Sequence, residues 1–566
     1  MHYTELLKAR EELTGPGGDF EIVEADVLGN TLRVYKNAPP SIRELWLSTL
    51  QYAERPYLVY EGETLTYAET HQRTNALAAW MFAQGVKPGD RVAVAMRNYP
   101  EWMQIYWSCA SVGIVVVGMN AWWTPEEMAY ALKDSEPKVL FVDSERLERV
   151  REIENTDDIK LVGVRLPEVP DDVTPWDEVI AHGGDLPTVT VDPDADACIF
   201  YTSGTTGFPK GAQLTHRGCV ANLFNMMFSA ASTALATQWA TGEEPPEEPP
   251  VPVGLITTPL FHVTANNCAA YLITAAGGKI VLMYRWDAGE ALKLIEREGV
   301  TAMSGVPVMA RELINHPDFE KTDTSTLATL GGGGAQLPPD LVQKIDSQVA
   351  TARPNTGYGM TETCGIITSV SADFFVDKPD SAGPAMPNFE TKCVNEFGEA
   401  VPQGEVGELW VRGSSVIKGY INRPEATAES ITDGWLHTGD IARIDKDGFI
   451  YIVDRKKDMV LRGGENVYCA EVESTLYRHP AVAECSVFGV PDDRLGEEVG
   501  AAVVLKEGES LTAEDLRAHC AEIMAKHKVP RYIWFLNALP RNASGKFIKR
   551  DLKEQLTKEM DSAEVS

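Results

Sequence analysis

The sequence predicts an α/β protein: a large N-terminal domain of mostly parallel sheets with helices, a small β-barrel-like subdomain, and a small mobile α+β C-terminal domain. Three observations carry this prediction. Strand-like runs alternate with helical stretches early in the chain, short runs separated by turns follow residue 383, and a second mixed segment begins after residue 458. At 566 residues the chain is also too long for one core, because domains usually contain about 100 to 200 residues.

The N-terminal elements follow the pattern of βαβ units. Residues 90–96 and 138–143 are apolar and β-branched, which predicts strands, whereas residues 67–85 predict a helix. The uncharged stretch 102–125 is long enough to cross a bilayer. Ser108, Ser111 and Asn120 interrupt it, however, and residues 114–117 predict a short buried parallel strand after a helix. The acidic, proline-dense residues 241–252 predict an exposed loop.

The later elements are shorter. Residues 405–411 and 448–453 predict antiparallel strands or a small barrel. In the last segment, residues 483–490, 499–505 and 532–535 predict strands, and residues 513–526 predict a helix. We place the domain boundary near residues 454–458.

Charge and cysteine usage restrict the function. A formal net charge of −32 disfavours nucleic acids and anionic lipid surfaces, so any bound anion needs a local site. The nine cysteines stand singly, without a C-x-x-C pair, which argues against structural zinc and for a reducing compartment. The N-terminus has no signal-peptide pattern, and Glu564-Val565-Ser566 is no peroxisomal address, so we expect a cytoplasmic protein.

The strongest motif is Tyr201-Thr-Ser-Gly-Thr-Thr-Gly-Phe-Pro-Lys210-Gly, which follows a strand-like run. Glycines let the backbone approach an anion, hydroxyl and amide groups donate to its oxygens, and the lysine supplies charge. The motif therefore predicts a phosphate-binding loop. The spacing of a Walker A loop is absent, so a P-loop NTPase is not implied. The predicted ligands are Thr202, Ser203, Gly204, Thr205, Thr206, Gly207 and Lys210.

This string is similar to the nucleotide-loop signature of the adenylate-forming superfamily, which contains acyl-CoA synthetases, peptide-synthetase adenylation domains and luciferases. Further motifs occur in the family's order, and the resemblance spans residues 45–550. It implies an AMP-binding domain over residues 1–456 and a C-terminal domain over residues 457–566, with a hinge near Lys457. The motifs are Pro259-Leu-Phe-His262, Gly357-Tyr-Gly-Met-Thr-Glu362, Thr438-Gly-Asp440, Asp454-Arg-Lys-Lys457-Asp, Gly463-Gly464-Glu-Asn and Asn542-Ala-Ser-Gly-Lys546.

The resemblance implies roles that suit the chemistry of these residues. Tyr358 offers an aromatic face to adenine, within a binding segment formed by Gly357, Tyr358, Gly359, Met360 and Thr361. Glu362 and Thr202 are the implied Mg²⁺ ligands, since hard oxygen donors suit that ion. Asp440 is the implied ribose ligand, with Arg455 as a second one. Spacing alone favours the plainer interpretations: a core tyrosine, a surface glutamate and a turn-forming aspartate.

The remaining implied roles concern the chemistry and the two other substrates. Lys546 would bring a cation to the acid and the α-phosphate during adenylation. A second closure about Lys457 would remove it and bring Gly463 and Gly464 to the path of the thiol. His262 would lie near the carboxylate or the route of CoA. Gly334 and Ala335, in the glycine run from residue 331, together with apolar Met303, Ile366 and Ile367, would surround the acyl group.

We therefore expect an ATP-dependent carboxylic acid:CoA ligase that uses ATP, Mg²⁺ and coenzyme A, with Lys546, His262, Glu362 and Thr202 as catalytic residues. The expected acid is apolar, either a medium- to long-chain fatty acid or a bulky cyclic acid, because the acidic residue that meets an amino-acid ammonium in some relatives is absent at His262. A freestanding enzyme that loads a carrier protein, a luciferase-like oxygenase and a non-catalytic binding protein are the alternatives. We expect no transmembrane span, and leave peripheral membrane contact and a homodimer open.

Overall fold

The computed structural model describes residues 2–202, 209–244, 250–333, 339–349, 351–463, 465–541 and 547–564. The chain divides into two compact units. The first contains residues 1–390 and 411–436, and the second contains residues 391–410 and 437–566.

The first unit is built on two large sheets and an N-terminal hairpin. The hairpin is β1 (Ile22–Val27) with β2 (Asn30–Tyr35). An eight-stranded sheet has the order β17-β16-β15-β14-β12-β13-β3-β4, and a seven-stranded sheet has the order β11-β10-β6-β5-β7-β8-β9. In chain order the strands are β3 (Pro56–Tyr60), β4 (Glu63–Thr66), β5 (Arg91–Ala95), β6 (Val115–Gly118), β7 (Val139–Val142), β8 (Lys160–Gly163), β9 (Thr174–Pro175), β10 (Asp196–Thr202), β11 (Lys210–Thr215), β12 (Val253–Ile256), β13 (Lys279–Leu282), β14 (Ala302–Gly305), β15 (Thr329–Gly333), β16 (Arg353–Met360) and β17 (Gly365–Ser371).

Helices accompany these sheets, as expected for parallel strands joined by crossovers. Thr66 and Glu69 form a capping box at the start of α3, and Thr124 and Glu127 form one at the start of α5. The helices are α1 (Tyr3–Thr14), α2 (Ile42–Ser48), α3 (Tyr67–Ala83), α4 (Pro100–Ser111), α5 (Pro125–Ser135), α6 (Ser144–Val150), α7 (Trp176–Ala181), α8 (His216–Thr241), α9 (Tyr271–Ala275), α10 (Ala288–Glu298), α11 (Pro307–Ile314), α12 (Pro339–Gln348), α13 (Ala372–Asp377) and α14 (Pro424–Ser430).

The predicted parallel strands are confirmed. β5 pairs in parallel with both β6 and β7. Within the uncharged stretch that could have crossed a membrane, residues 102–111 lie in α4 and residues 115–118 form β6, and both elements are buried. Helix α8 is long and apolar enough to cross a bilayer, but half of its most apolar stretch is buried inside the protein. The short strands β18 (Gly383–Pro384) and β21 (Ile431–Thr432) also lie among the residues of this unit.

The second unit contains an antiparallel sheet followed by an α+β segment, as the sequence predicts. The antiparallel strands are β19 (Phe389–Val394), β20 (Val406–Gly413), β22 (Trp435–Ile444) and β23 (Phe449–Arg455). The α+β segment consists of β24 (Val460–Arg462), β25 (Glu465–Val467), α15 (Cys469–Tyr477), β26 (Val482–Asp492), β27 (Gly496–Leu505), α16 (Ala513–Ile523), β28 (Tyr532–Phe535) and α17 (Lys549–Glu564). Its core includes Val472, Leu476, Val487 and Val503, all fully buried or nearly so.

One predicted boundary is wrong. The helix predicted over residues 513–526 ends at Ile523, and Lys526–Lys528 forms a separate 3₁₀ turn. Met524 is already extended. The run Lys526-His527-Lys528 offers no apolar side chain to continue the buried face of the helix, so packing does not hold another turn.

Candidate active site

The edge of the seven-stranded sheet holds the ends of the predicted phosphate loop. β10 and β11 are antiparallel, with Thr202 opposite Lys210, and the Thr202 hydroxyl lies 3.5 Å from the Lys210 carbonyl oxygen. The two strands therefore fix both ends of the loop. The loop residues themselves, Ser203, Gly204, Thr205, Thr206 and Gly207, lie outside the described residues.

The segment from Ile417 to Ile421 extends this edge beyond β11. The amide of Ile421 donates to the carbonyl of Gly211 at 2.9 Å, and that of Lys418 donates to the carbonyl of Gln213 at 3.1 Å. On its other side, the Ile417 amide donates to the carbonyl of Glu362 at 3.0 Å. The segment thus connects the strand that begins at Lys210 with the residue that was predicted to bind the metal.

Tyr420, within this segment, contacts both predicted ATP ligands. Its hydroxyl donates to Oε1 of Glu362 at 2.8 Å, and the Lys210 ammonium lies 5.1 Å from the centre of its ring. Tyr420 and Glu362 are only 8% and 7% exposed. Burial, followed by the neighbouring Glu362 carboxylate, raises the pKa of Tyr420 well above its usual value. The phenol therefore remains protonated and acts as a hydrogen-bond donor.

The backbone near Glu362 is closely packed. β16 carries Gly357, Tyr358, Gly359 and Met360 and leads into the 3₁₀ turn Thr361–Thr363, which presents Glu362. A β-carbon on Gly359 would lie 2.0 Å from the carbonyl oxygen of Gly365, so only glycine fits there. Tyr358 is half-buried, which leaves part of its ring accessible.

His262 follows β12, at the same edge of the eight-stranded sheet as the end of β16. This edge, at the carboxyl ends of parallel strands, is where α/β proteins bind ligands. The backbone amide of His262 donates to the Pro259 carbonyl, and the π-helix Thr264–Ala270 begins two residues after His262. π-Helical turns are rare and frequently occur at functional sites.

Buried amides connect the His262 region to the Glu362 region. Asn222 donates to the carbonyl of Asn267 at 3.0 Å and accepts from the amide of Ile366 at 2.9 Å. Asn267 donates in turn to the carbonyl of Cys364 at 3.1 Å. Both asparagines are fully buried, so these hydrogen bonds stabilise one arrangement of three separate segments.

The space over Gly331, the first residue of the glycine run, is already filled. Gly331 lies opposite Asn355 in the parallel pair of β15 and β16. A β-carbon on Gly331 would lie 1.8 Å from Oδ1 of Asn355, so that side chain already occupies the space over the glycine. Met303, Ile366 and Ile367 are buried apolar residues. Gly334 and Ala335 lie outside the described residues.

The predicted ribose ligands meet within the second unit. Asp440 on β22 is opposite Arg455 on β23, and Nε of Arg455 lies 3.2 Å from Oδ1 of Asp440. Asp440 is 3% exposed, and its amide donates to the Thr438 hydroxyl at 3.1 Å. The tripeptide at 438–440 therefore continues a strand and presents a fixed carboxylate.

The residues with roles in the implied hinge and thiol path are partly described. Burial lowers the pKa of Lys457. Gly463 adopts φ +60°, a left-handed conformation that favours glycine, and its amide donates to the Leu495 carbonyl at 2.7 Å. Gly464 and Lys546 lie outside the described residues. The roles of His262, Lys457, Gly463 and Lys546 stay predictions.

Sequence reasoning missed Tyr420, Asn222 and Asn267. The sequence did contain a sign of the two asparagines, because each stands among mainly small or apolar residues of a helical stretch. A polar side chain that is buried in such a stretch usually has a specific hydrogen-bond partner. Tyr420 had no comparable signal, since it gains its neighbours only when residues 418–421 pair with β11.

The described residues fit a magnesium ion held jointly with a nucleotide. They contain no group of three or more His, Cys, Asp or Glu side chains that could hold a metal by themselves. Mg²⁺ usually binds through one or two carboxylates together with substrate phosphates. A single buried carboxylate at Glu362, with the Thr202 hydroxyl and a lysine on the same unit, suits that mode of binding.

Comparison with known proteins identifies relatives over most of the chain. The AMP-binding enzyme family model matches residues 46–421, and the AMP-binding enzyme C-terminal domain model matches residues 471–546. Feruloyl-CoA synthase of Amycolatopsis sp is 38% identical over 497 residues, which are 87% of this chain and 94% of that protein. A 3-[(3aS,4S,7aS)-7a-methyl-1,5-dioxo-octahydro-1H-inden-4-yl]propanoyl:CoA ligase of Rhodococcus jostii (strain RHA1) is 33% identical over 531 residues, 90% of this chain and 98% of that protein.

A solved structure extends the likeness to the whole fold. The o-succinylbenzoate CoA synthetase from Bacillus subtilis, in complex with its acyl-adenylate intermediate, matches with a TM-score of 0.73 and 31% identity over 90% of this chain and 97% of that one. Both domains, the motif order and relatives covered over nearly their full length lead to one conclusion. The chain belongs to the adenylate-forming superfamily of AMP-binding enzymes, in its AMP-forming acyl-CoA synthetase branch.

Proposed function

We propose that this AMP-forming acid–thiol ligase activates an apolar carboxylic acid, a bulky cyclic acid in preference to an unbranched fatty acid, and transfers it to CoA. Two relatives whose names give ring-bearing acids support the choice. The uncharged side chains that join the His262 and Glu362 regions support it too. A charged group on the acid would need a buried counter-charge.

In the first half-reaction, a carboxylate oxygen of the acid forms a bond to the α-phosphorus of ATP, and pyrophosphate leaves. Lys210 would bind phosphate oxygens, while Glu362 and Thr202 would hold Mg²⁺, which supplies positive charge to the phosphates when bound. Lys546 would neutralise charge between the acid and the α-phosphate. A placed cation of this kind lowers such a barrier by roughly 3 to 4 kcal/mol.

In the second half-reaction, the thiol sulfur of CoA forms a bond to the acyl carbon, and AMP leaves with the electrons of the mixed-anhydride bond. Asp440 and Arg455 would hold the ribose and Tyr358 the adenine throughout. The pivot at Lys457 would exchange Lys546 for Gly463 and Gly464 between the two steps.

The observation that carries this proposal is the meeting of Lys210 and Glu362 at one tyrosine. The two residues come from different sheets and from motifs far apart in the chain, yet both contact Tyr420. A cation against the ring and a buried carboxylate at the hydroxyl of the same tyrosine match the charges of a nucleotide phosphate and its metal ion.

Pyrophosphate release is the test. The protein is incubated with ATP, Mg²⁺ and acids of graded length and ring content, with CoA or with a carrier-protein domain as acceptor. We expect the highest kcat/KM with a cyclic apolar acid and thioester formation on CoA. A preference for unbranched fatty acids, short polar acids or amino acids would refute the proposed acid class. Release of AMP only with the carrier domain would refute CoA as the acceptor.

A further inference from the structure

We propose that Tyr420 is a positioning residue for ATP and its metal ion: its hydroxyl orients the Glu362 carboxylate, and its ring holds the Lys210 ammonium beside it. This inference rests on the proposed roles of Lys210 and Glu362. It assigns a new residue to that site, since Tyr420 itself need not touch the nucleotide.

The hydroxyl restrains the carboxylate. At 2.8 Å, with both side chains buried, the bond from Tyr420 to Oε1 of Glu362 is a charge-assisted hydrogen bond in a region of low dielectric. Fixing one oxygen restricts rotation of the carboxylate plane. A tyrosine hydroxyl carries its proton at neutral pH, so Tyr420 is the donor and the Glu362 carboxylate the acceptor.

The ring holds the lysine without cancelling its charge. The Lys210 ammonium lies 5.1 Å from the ring centre, within the range of a cation–π contact. Lys210 makes no ion pair with a carboxylate in the part of the chain that the structure describes. An aromatic partner attracts the ammonium but carries no net charge, so the full positive charge stays available to a phosphate.

The backbone around Tyr420 is fixed independently of its side chain. Its amide donates to the Thr427 hydroxyl at 2.9 Å, and its neighbour Ile421 is bonded to β11. Gly419 has φ +157°, and a β-carbon there would lie 2.8 Å from Cγ2 of Thr427. The ring therefore cannot shift far, and its two contacts define the relative positions of Lys210 and Glu362.

The test compares Tyr420→Phe, which removes only the hydroxyl, with Tyr420→Leu, which also removes the ring. The matched control is Tyr451→Phe, which removes another tyrosine–carboxylate bond, to Asp445, in the second unit. Three quantities are measured for the full chain: the dissociation constant of α,β-methylene-ATP loaded with Mn²⁺, the dissociation constant of AMP, and thioester formation from supplied acyl-AMP. Thermal unfolding is recorded for each variant.

We expect Tyr420→Phe to weaken binding of the Mn²⁺-loaded analogue about tenfold or more, since it loses a hydrogen bond to a charged group. AMP binding and thioester formation should stay within about twofold, because neither involves the β- and γ-phosphates. Tyr420→Leu should weaken the analogue further, by about threefold, through the lost cation–π contact. In a Glu362→Gln background, the effect of Tyr420→Phe should largely disappear.

Three results would overturn the role of Tyr420. The first is that Tyr420→Phe leaves the dissociation constant of the Mn²⁺-loaded analogue unchanged, and the second is that it weakens AMP binding as much as analogue binding. The third is that it weakens analogue binding as much in the Glu362→Gln background as in the unaltered protein. A different result would count against the proposed function. If the unaltered protein bound no Mn²⁺-loaded analogue, the nucleotide site at Lys210 and Glu362 would be refuted, and this role of Tyr420 with it.

Discussion

Replacing Asp440 by Asn should weaken AMP binding without unfolding the protein. Asp440 is buried and has its Oδ1 atom 3.2 Å from Nε of Arg455. Asn has the same shape but turns one acceptor oxygen into a donor, so one charge-assisted bond to a ribose hydroxyl is lost. Such a bond contributes about 1.5 to 3 kcal/mol, which corresponds to roughly 10- to 150-fold in affinity.

The effect on stability should be much smaller. The Arg455 side chain is 52% exposed, and water screens its pair with Asp440. Pairs with one exposed partner typically contribute about 0 to 1 kcal/mol. The free energy of unfolding should therefore change by less than about 1 kcal/mol, while the nucleotide affinity falls at least tenfold.

Calorimetric titration with AMP measures the loss directly, and it needs no acid substrate. The control is Lys456→Gln, which removes the neighbouring ion pair between Lys456 and Glu408, 3.0 Å apart, and leaves Asp440 unchanged. An Asp440→Asn protein that binds AMP within twofold of the unaltered chain would refute the ribose role. An equal loss in the Lys456 variant would attribute the effect to the strand pair rather than to the carboxylate.

Three further predictions concern other parts of the chain. Lys546→Ala should reduce acyl-adenylate formation at least about a hundredfold but still convert supplied acyl-AMP to thioester; equal loss of both steps would contradict the assigned role. Gly359→Ala should lower the free energy of unfolding by about 1 to 3 kcal/mol through the clash with Gly365, whereas Gly357→Ala, with nothing nearer than 3.5 Å, should cost far less; urea titrations giving equal losses would disprove this. Burial raises the pKa of Asp454 from 3.8 to about 6. The folded chain then binds more protons than the unfolded chain between these values, so stability falls as pH rises through that window, and Asp454→Asn should flatten the fall by up to about 3 kcal/mol. The free energy of unfolding of both proteins is measured by urea titration at several pH values. An equal fall with pH in the two proteins would refute this prediction.

Local patterns were sufficient to predict several strands, among them β5, β6 and β7, and the helix α3. The β-branched run at 114–117 formed β6 because its side chains are buried on both faces, which the absence of polar alternation indicated. Strand order was not accessible in this way. β12 lies between β13 and β14, and β3, from much earlier in the chain, pairs with β13. Which strands become neighbours in the sheet depends on how the crossover connections pack, and no short stretch of sequence determines this packing.

The site shows the same division between local and non-local information. Lys210 and Glu362 could be predicted because each lies in a motif whose residue types suit its chemistry. Tyr420 could not, because its importance comes from backbone pairing between residues 418–421 and β11, which are distant in sequence. The motif residues supply the reactive groups, and residues outside the motifs determine their geometry.

The overall charge makes this local geometry necessary. A chain with a net charge of −32 repels a polyanion such as ATP, and two of the proposed ligands, Glu362 and Asp440, are themselves buried carboxylates. At physiological salt the repulsion from distant surface charges is screened beyond about 8 Å, so contacts within the site decide the affinity. In the proposed roles each carboxylate has a partner that its charge attracts: a metal ion for Glu362, and ribose hydroxyls with Arg455 for Asp440. A lysine held by an aromatic ring, rather than paired with a carboxylate, keeps the positive charge that the phosphates require.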